Sequence, residues 1–231
     1  VEYIKDHLEE FEKHGGSLGR LKRELWIKYA HPENRWWNKG TDVYLPKTYG
    51  NTNDLEGLFK GLDNIRFVDK TYLELSVSRL KKKAKDGTIS AQQRRDLADS
   101  WRAFFIRVGV ETAIRVACPA DSGDPDQVTS PHLAALISTG DTERIAKALL
   151  ILDANWSRYR GYLEAVRYYG QRNRGVGYGK APTAFRKLLR DSDWIPTKEH
   201  GLCSPSEVCL DVEANRSLLG DNVPYLAINL S

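Results

Sequence analysis

The sequence has no methionine, only three cysteines in 231 residues, and no long run of apolar side chains. A membrane-spanning helix needs about 20 consecutive apolar residues, so the sequence predicts neither a membrane segment nor a membrane partner. A small, odd number of cysteines does not suit a disulfide framework and is typical of a reducing compartment. We therefore expect a cytoplasmic protein.

The first residues also lack the features of a targeting segment. They read Val-Glu-Tyr-Ile-Lys-Asp, without the basic and then apolar order of a signal peptide. Because the chain also does not begin with methionine, we expect it to be a piece of a longer protein.

Charge of neither sign dominates the chain. The net charge is +4, and residues 1–118 hold 22 Lys and Arg against 17 Asp and Glu, whereas the remainder holds 13 against 14. This mild excess permits contact with nucleic acid without requiring it. With 41% hydrophobic residues, the chain can bury a core in one large domain or in two unequal ones.

Apolar spacing and capping residues predict a mostly helical chain. The predicted helices span residues 3–14, 17–25, 53–62, 73–85, 90–108, 132–139, 141–169, 183–189 and 212–219. Aromatic and β-branched residues predict short strands at residues 25–29, 41–46, 64–69 and 223–230. Residues 30–40 are predicted to be a turn-rich loop, and residues 170–182 a flexible connector. The predicted fold class is α+β, predominantly helical, with short β-hairpins packed on helices.

Two distant segments follow the same order of elements, which predicts a partial internal repeat. Each has a short helix, a Trp-Ile pair at Trp26 or Trp194, a polar turn, and an apolar triplet, Val43-Tyr44-Leu45 or Val208-Cys209-Leu210. Another short helix and a strand follow in both. The predicted domains are therefore a helical α+β module with an N-terminal hairpin, residues 1–178, and the start of a second, similar helix-hairpin module, residues 179–231.

Several segments in order resemble one known family. The segments are "LWIKY", "DVYLPKTYG", "WRAFFIRVGV", "ILDANWSRYRGY" and "FRKLLRDSDWIPTKEHGLCSPSEVCL". They resemble the regions downstream of the ATPase domain in sacsin-like and NO VEIN-like proteins. The spacing of Asp153, Trp156 and Tyr159 and the Trp-Ile-Pro-Thr segment at Trp194 are the most specific parts.

This resemblance implies a chaperone-like or defence-related parent protein with an ATPase domain of the Hsp90 and histidine-kinase type. ATP is then the cofactor of the parent, and no cofactor is expected in this chain, because the Asn-bearing helix, the Asp-x-Gly-x-Gly motif and the Gly-rich lid of such ATPases are missing from the sequence. The expected partners are other domains of the same chain and a protein partner or client.

Other candidate sites in the sequence have weak motifs. Gly175 to Lys180 is rich in glycine, but a helix is predicted before it and the Lys-Ser/Thr pair of a phosphate-binding loop is missing. His200, Cys203 and Cys209 have a spacing unlike that of a structural zinc site, and Cys203 and Cys209 are expected to be incidental to a hairpin. No histidine adjoins a nucleophile motif. We therefore predict no catalytic and no metal-binding residue.

A basic cluster is the strongest functional candidate in the sequence. Its members are Arg79, Lys81, Lys82, Lys83, Lys85, Arg94 and Arg95. Clustered cations bind phosphates through counterion release, although lysines at a helix C-terminus also complement the helix dipole. We expect a non-catalytic scaffold, coupling or partner-recognition module. The alternative is a domain of a bacterial defence or restriction system that binds DNA or RNA through this cluster.

Overall fold

The computed structural model describes residues 1–13, 17–24, 26–30, 37–39, 42–84, 87–118, 124–171, 174–220 and 223–228. Packing divides the chain into two units, Val1–Ala113 and Ile114–Ser231. The fold class is the predicted one, predominantly helical α+β, and the strands of the described part form two-stranded antiparallel hairpins. The predicted boundary at residue 178 follows the repeat rather than the packing and stays a prediction.

Unit 1 opens with three short helices. The predicted helix over residues 3–14 is divided into α1 (Glu2–Asp6) and α2 (Leu8–Lys13), because His7 leaves the helical conformation at φ −115° and ψ 21°. The break accompanies the burial of Leu8 in the core of the unit. Helix α3 (Ser17–Glu24) follows.

A hairpin comes next, and its second strand was not predicted. Strand β1 (Trp26–Lys28) pairs with β2 (Trp37–Lys39), which lies in the predicted loop over residues 30–40. The predicted strands over residues 41–46 and 64–69 are reduced to single bridges, in which Tyr44 pairs with Phe67 and Tyr29 with Val68.

Helices α4 (Leu55–Leu58), α5 (Thr71–Lys83) and α6 (Ala91–Arg107) complete unit 1. The predicted cap of α6 is confirmed. Ser90 Oγ accepts the Gln93 N–H (3.1 Å), and Gln93 Oε1 accepts the Ser90 N–H (2.8 Å), which is a capping box. Helix α6 stops before Gly109, whose φ of 94° is a conformation that glycine adopts readily.

The core of unit 1 is rich in aromatic side chains. Its buried members include Ile27, Val43, Leu45, Tyr49, Leu73, Trp101, Phe104, Phe105, Val108 and Val110. The polar atoms of the large rings have partners, as buried polar groups require: Trp101 Nε1 donates to Ser76 Oγ (3.1 Å), and the Tyr49 hydroxyl donates to the Asp69 carbonyl (2.5 Å). Burial raises the pKa of Tyr49 above its usual value.

Unit 2 contains a long hairpin where the sequence predicts the end of a helix and a flexible connector. After α7 (Pro131–Ser138), helix α8 (Thr142–Ala154) ends well before Tyr169, the predicted end. A short helix α9 (Trp156–Tyr159) follows. Strand β3 (Glu164–Gln171) then pairs with β4 (Arg174–Pro182), so the described part of the predicted connector belongs to these two strands. Aromatic and β-branched residues in β3 favour a pleated strand.

The rest of unit 2 agrees better with the predictions. The predicted cap Thr183 begins α10 (Ala184–Asp191) and accepts the Arg186 N–H at 3.1 Å. A small hairpin, β5 (Ile195–Pro196) and β6 (Leu202–Cys203), precedes α11 (Glu213–Leu219). The buried side chains of this unit include Leu133, Leu136, Ile145, Ala148, Leu152, Tyr159, Phe185 and Trp194.

Among the described residues, no helix combines the length and the apolar content that crossing a membrane would require.

Candidate functional site

The predicted basic cluster lies at one end of the α5–α6 pair, which we call the basic end. Lys81, Lys82 and Lys83 form the last turn of α5 and are exposed, whereas Lys85 lies outside the described residues. Arg79 is exposed as well, but it forms an ion pair with Glu2. The structure therefore keeps three of these cations at the surface and partly neutralises a fourth.

Arg94 and Arg95 are exposed in the first turns of α6. Helices α5 and α6 contact each other and are joined by residues 84–90, so both arginines belong to the basic end. Arg95 Nη2 donates to Gln92 Oε1 (3.0 Å), and the first turn of α6 has no acidic residue. A helix N-terminus disfavours cations. The helix dipole thus accounts for the lysines of α5 but not for these two arginines.

The segment from Trp194 to Leu210 contains a small hairpin and two isolated backbone bridges. His200 lies in the predicted exposed turn, next to Gly201 at φ 72°. The strand opposite Ile195 contains Cys203, instead of residues 208–210 as the repeat predicted. In the part of the chain that the structure describes, no three His, Cys, Asp or Glu side chains are grouped as metal ligands.

The two apolar triplets of the predicted repeat form equivalent backbone hydrogen bonds on one of their two sides. We call Val43–Leu45 the first edge and Val208–Leu210 the second edge. The Tyr44 N–H donates to the Arg66 carbonyl (2.8 Å), and the Tyr44 carbonyl accepts the Val68 N–H (2.9 Å). In unit 2, the Cys209 N–H donates to Pro224 (2.9 Å), and the Cys209 carbonyl accepts from Leu226 (3.0 Å). Both bridges are parallel.

In each unit, the backbone at the end of the first hairpin strand also pairs with the segment that the edge contacts. Tyr29 pairs with Val68 in one unit and Thr197 with Leu226 in the other, both antiparallel. In unit 1, the Ala30 N–H donates to the Phe67 carbonyl (2.8 Å), and the Asp69 N–H donates to the Lys28 carbonyl (3.1 Å). In unit 2, the Lys198 N–H donates to the Tyr225 carbonyl (3.1 Å), and the Ala227 N–H donates to the Pro196 carbonyl (2.9 Å). This correspondence supports the hypothesis that the two segments are copies of one motif.

The two edges differ on their other side. The Leu45 N–H donates to the Glu111 carbonyl (2.8 Å), and the Glu111 N–H donates to the Val43 carbonyl (3.0 Å). The groups at the same places in the second edge are the Leu210 N–H and the Val208 carbonyl, and neither has a hydrogen bond to a described residue. Leu45 is fully buried, whereas Leu210 is 58% exposed.

The exposed leucine has apolar neighbours along the chain. Val212, Leu218 and Leu219 are 49%, 82% and 42% exposed, and α11 contains no buried residue. In contrast, Leu55 and Leu58 of α4 are buried. We call Leu210, Val212, Leu218 and Leu219 the apolar patch. No site was predicted here from the sequence, although apolar residues within a polar segment were a signal.

Polar contacts hold α11 against the hairpin of unit 2. Asp211 accepts from Arg216 and forms an ion pair with Lys198. The Arg216 guanidinium lies 4.8 Å from the centre of the Tyr225 ring. The hydrogen bond from Arg216, followed by that from Lys198, lowers the pKa of Asp211 to about 2. Helix α11 is thus fixed through charges, and its leucines stay at the surface.

Comparison of the chain with protein-family models gives no match, and searches of curated proteins and of solved structures give none either. The resemblance to sacsin-like and NO VEIN-like proteins therefore rests on the sequence motifs and stays a prediction.

Replacing Arg216 by glutamine tests the contacts of Asp211. We expect the pKa of Asp211 to rise toward about 3.9, its ordinary value, because the first and largest cause of its depression is removed. NMR titration of the side-chain carboxyl carbon measures this pKa. Arg190→Gln, which removes the partner of Asp191, should leave it unchanged.

Linkage between protonation and folding gives the direction in which pH changes the stability of the fold. Because the folded pKa of Asp211 lies below the unfolded one, its ionised form stabilises the fold above about pH 4. This stabilisation should be lost as the pH falls toward 2, and Arg216→Gln should remove most of that pH dependence. An ordinary Asp211 pKa in the unmodified chain would contradict the structure.

Proposed function

We propose that the chain is a non-catalytic scaffold and partner-recognition module. The observation that carries this proposal is the apolar patch, in which four large apolar side chains are exposed within ten residues. Large exposed apolar surface marks sites of interaction on soluble proteins, and these four side chains lie close together along the chain. Isolated exposed residues such as Leu150 need no such explanation.

The resemblance to sacsin-like and NO VEIN-like proteins gives the module a place in a larger machine. ATP would be bound and hydrolysed by another domain of the parent protein, and this module would couple that domain to a protein partner or client. Such a parent would be chaperone-like or defence-related. The three unpaired cysteines, Cys118, Cys203 and Cys209, suit the predicted cytoplasmic location.

Photo-cross-linking in cells tests the proposal. A photoreactive amino acid replaces Leu218 in one variant and, as a matched control, Leu150 of α8 in another. We expect a discrete cross-linked product from position 218 only, because Leu218 belongs to the apolar patch and Leu150 does not. Protease should remove the product and nuclease should not.

Two results would contradict the proposed function. One is the same background of cross-links from both positions, which would mean that the patch has no specific partner. The other is ATP hydrolysis, or turnover of another substrate, by the purified chain alone.

Nucleic-acid binding is the second candidate, as part of a defence or restriction system. The observation that favours it is the basic end, where exposed lysines of α5 lie with Arg94 and Arg95 of α6. The dipole of α6 does not favour these two arginines, whereas the phosphate backbone of DNA or RNA would attract all the exposed cations of the basic end.

Charge reversal at Lys81, Lys82 and Lys83 tests the second candidate. If the basic end binds DNA or RNA, the triple change to Glu should abolish binding at low salt, because three phosphate contacts and their counterion release are lost. The control reverses three other exposed lysines of unit 1, Lys47, Lys60 and Lys70. Electrophoretic mobility shifts over a salt series provide the measurement. No binding by the unmodified chain at low salt would exclude this function.

A further inference from the structure

The second edge carries unpaired backbone groups next to exposed apolar surface. Successive residues of an extended segment direct their N–H and C=O groups to opposite sides, and Cys209 forms its two bonds on one side of the second edge. On the other side, the Leu210 carbonyl accepts from the Val212 N–H and from Asn215 Nδ2 (2.9 Å each), as the Leu45 carbonyl accepts from Asn51 Nδ2 (2.7 Å). The Leu210 N–H and the Val208 carbonyl, which correspond to the groups that bond to Glu111 in unit 1, have no backbone partner among the described residues. A row of unpaired backbone groups is a template for another strand.

Unit 1 shows what occupies the corresponding side of the first edge. The chain leaves α6 at Gly109, where the Val110 N–H donates to the Phe105 carbonyl (2.9 Å). It then runs parallel to the first edge, and Glu111 pairs with Tyr44. The aromatic residues of α6 form one buried cluster with Leu45. The occupant is therefore an extended segment that directly follows an amphipathic helix whose aromatic face is buried.

The charges around the second edge add a requirement for its occupant. Glu207 and Glu213 are exposed, and neither forms an ion pair with a described residue. Asp211, between them, is already neutralised by Lys198 and Arg216. Acidic flanks on an apolar edge favour a segment that carries basic residues.

We infer that the second edge binds an extended segment of a partner protein by parallel β-augmentation. The segment would donate a backbone N–H to the Val208 carbonyl and accept the Leu210 N–H. A preceding amphipathic helix with basic residues would cover the apolar patch with its apolar face, as the aromatic face of α6 packs in one cluster with Leu45. This inference rests on the proposed function and specifies the partner by its chemistry.

A peptide with the chain's own residues 91–112 is the probe, since this segment already has the required order of helix, glycine and strand. Fluorescence anisotropy with the full chain should show saturable binding of one labelled peptide per chain. Leu210→Lys should weaken binding by about tenfold or more, because burial of one leucine is worth at least that factor. Leu150→Lys is the matched control and should change nothing, and circular dichroism checks that both variants fold.

N-methylation of the peptide tests the backbone pairing separately from the apolar contact. A methyl group on the nitrogen of Glu111 in the peptide removes the donor for Val208 and should abolish binding. The same change at Thr112 should have little effect, because its N–H faces away from the edge in a parallel pair. Equal binding by the two methylated peptides would overturn the inference.

The remaining outcomes separate the inference from the proposed function. Absence of saturable binding, or binding unaffected by Leu210→Lys, overturns the inference. If position 218 still cross-links to a protein in cells, the proposed function stands and only the β pairing is wrong. If the chain instead dimerises and Leu210→Lys abolishes the dimer, the occupant is a second copy, and the inference of a partner protein is wrong. If the Leu210 amide is protected in a longer form of the protein without any partner, the occupant is a later segment of the same protein, and the inference is wrong as well.

Discussion

Backbone pairing along the first edge is the interaction on which the rest of unit 1 depends. Three residues, Val43 to Leu45, connect the extended segment before α5 on one side with the segment that follows α6 on the other. Both helices are thereby held against the hairpin, and their apolar side chains can enclose Trp101, Tyr49 and Phe105 in one cluster. A short strand organises the core because extended backbone must satisfy hydrogen bonds on two sides.

Local signals in the sequence were sufficient for much of the helical structure. Ser90, Gly109 and Thr183 act at helix ends through contacts with near neighbours, so α6 and the start of α10 could be predicted. The β3–β4 hairpin could not, because the aromatic spacing around Trp156 and Tyr159 continues the helical period of α8, and that period ends after α9 at Tyr159. The aromatic and β-branched residues of β3 favour a strand but also fit a helical period, so the pairing with β4 decides between the two structures.

The two candidate sites also differ in whether near neighbours in the sequence or distant segments define them. The basic end could be found from the sequence because its cations are neighbours on the chain. The open edge could not, since Leu45 and Leu210 occur in similar apolar triplets and differ only in whether a distant segment such as Glu111 covers them. Whether a side chain is buried by a distant segment depends on the fold and cannot be read from the triplet itself. The predicted repeat therefore points to a function only when the hydrogen bonds and burial of the two edges are compared.

Amide hydrogen exchange of the isolated chain, measured residue by residue by NMR, tests the central claim most directly. Exchange reports whether a backbone N–H is protected by a hydrogen bond and burial. We expect the Leu45 and Glu111 amides to be strongly protected and the Leu210 amide to exchange rapidly, although Leu45 and Leu210 occupy the same place in the motif. Protection of Leu210 equal to that of Leu45 would show that the second edge is already covered, and would contradict the account.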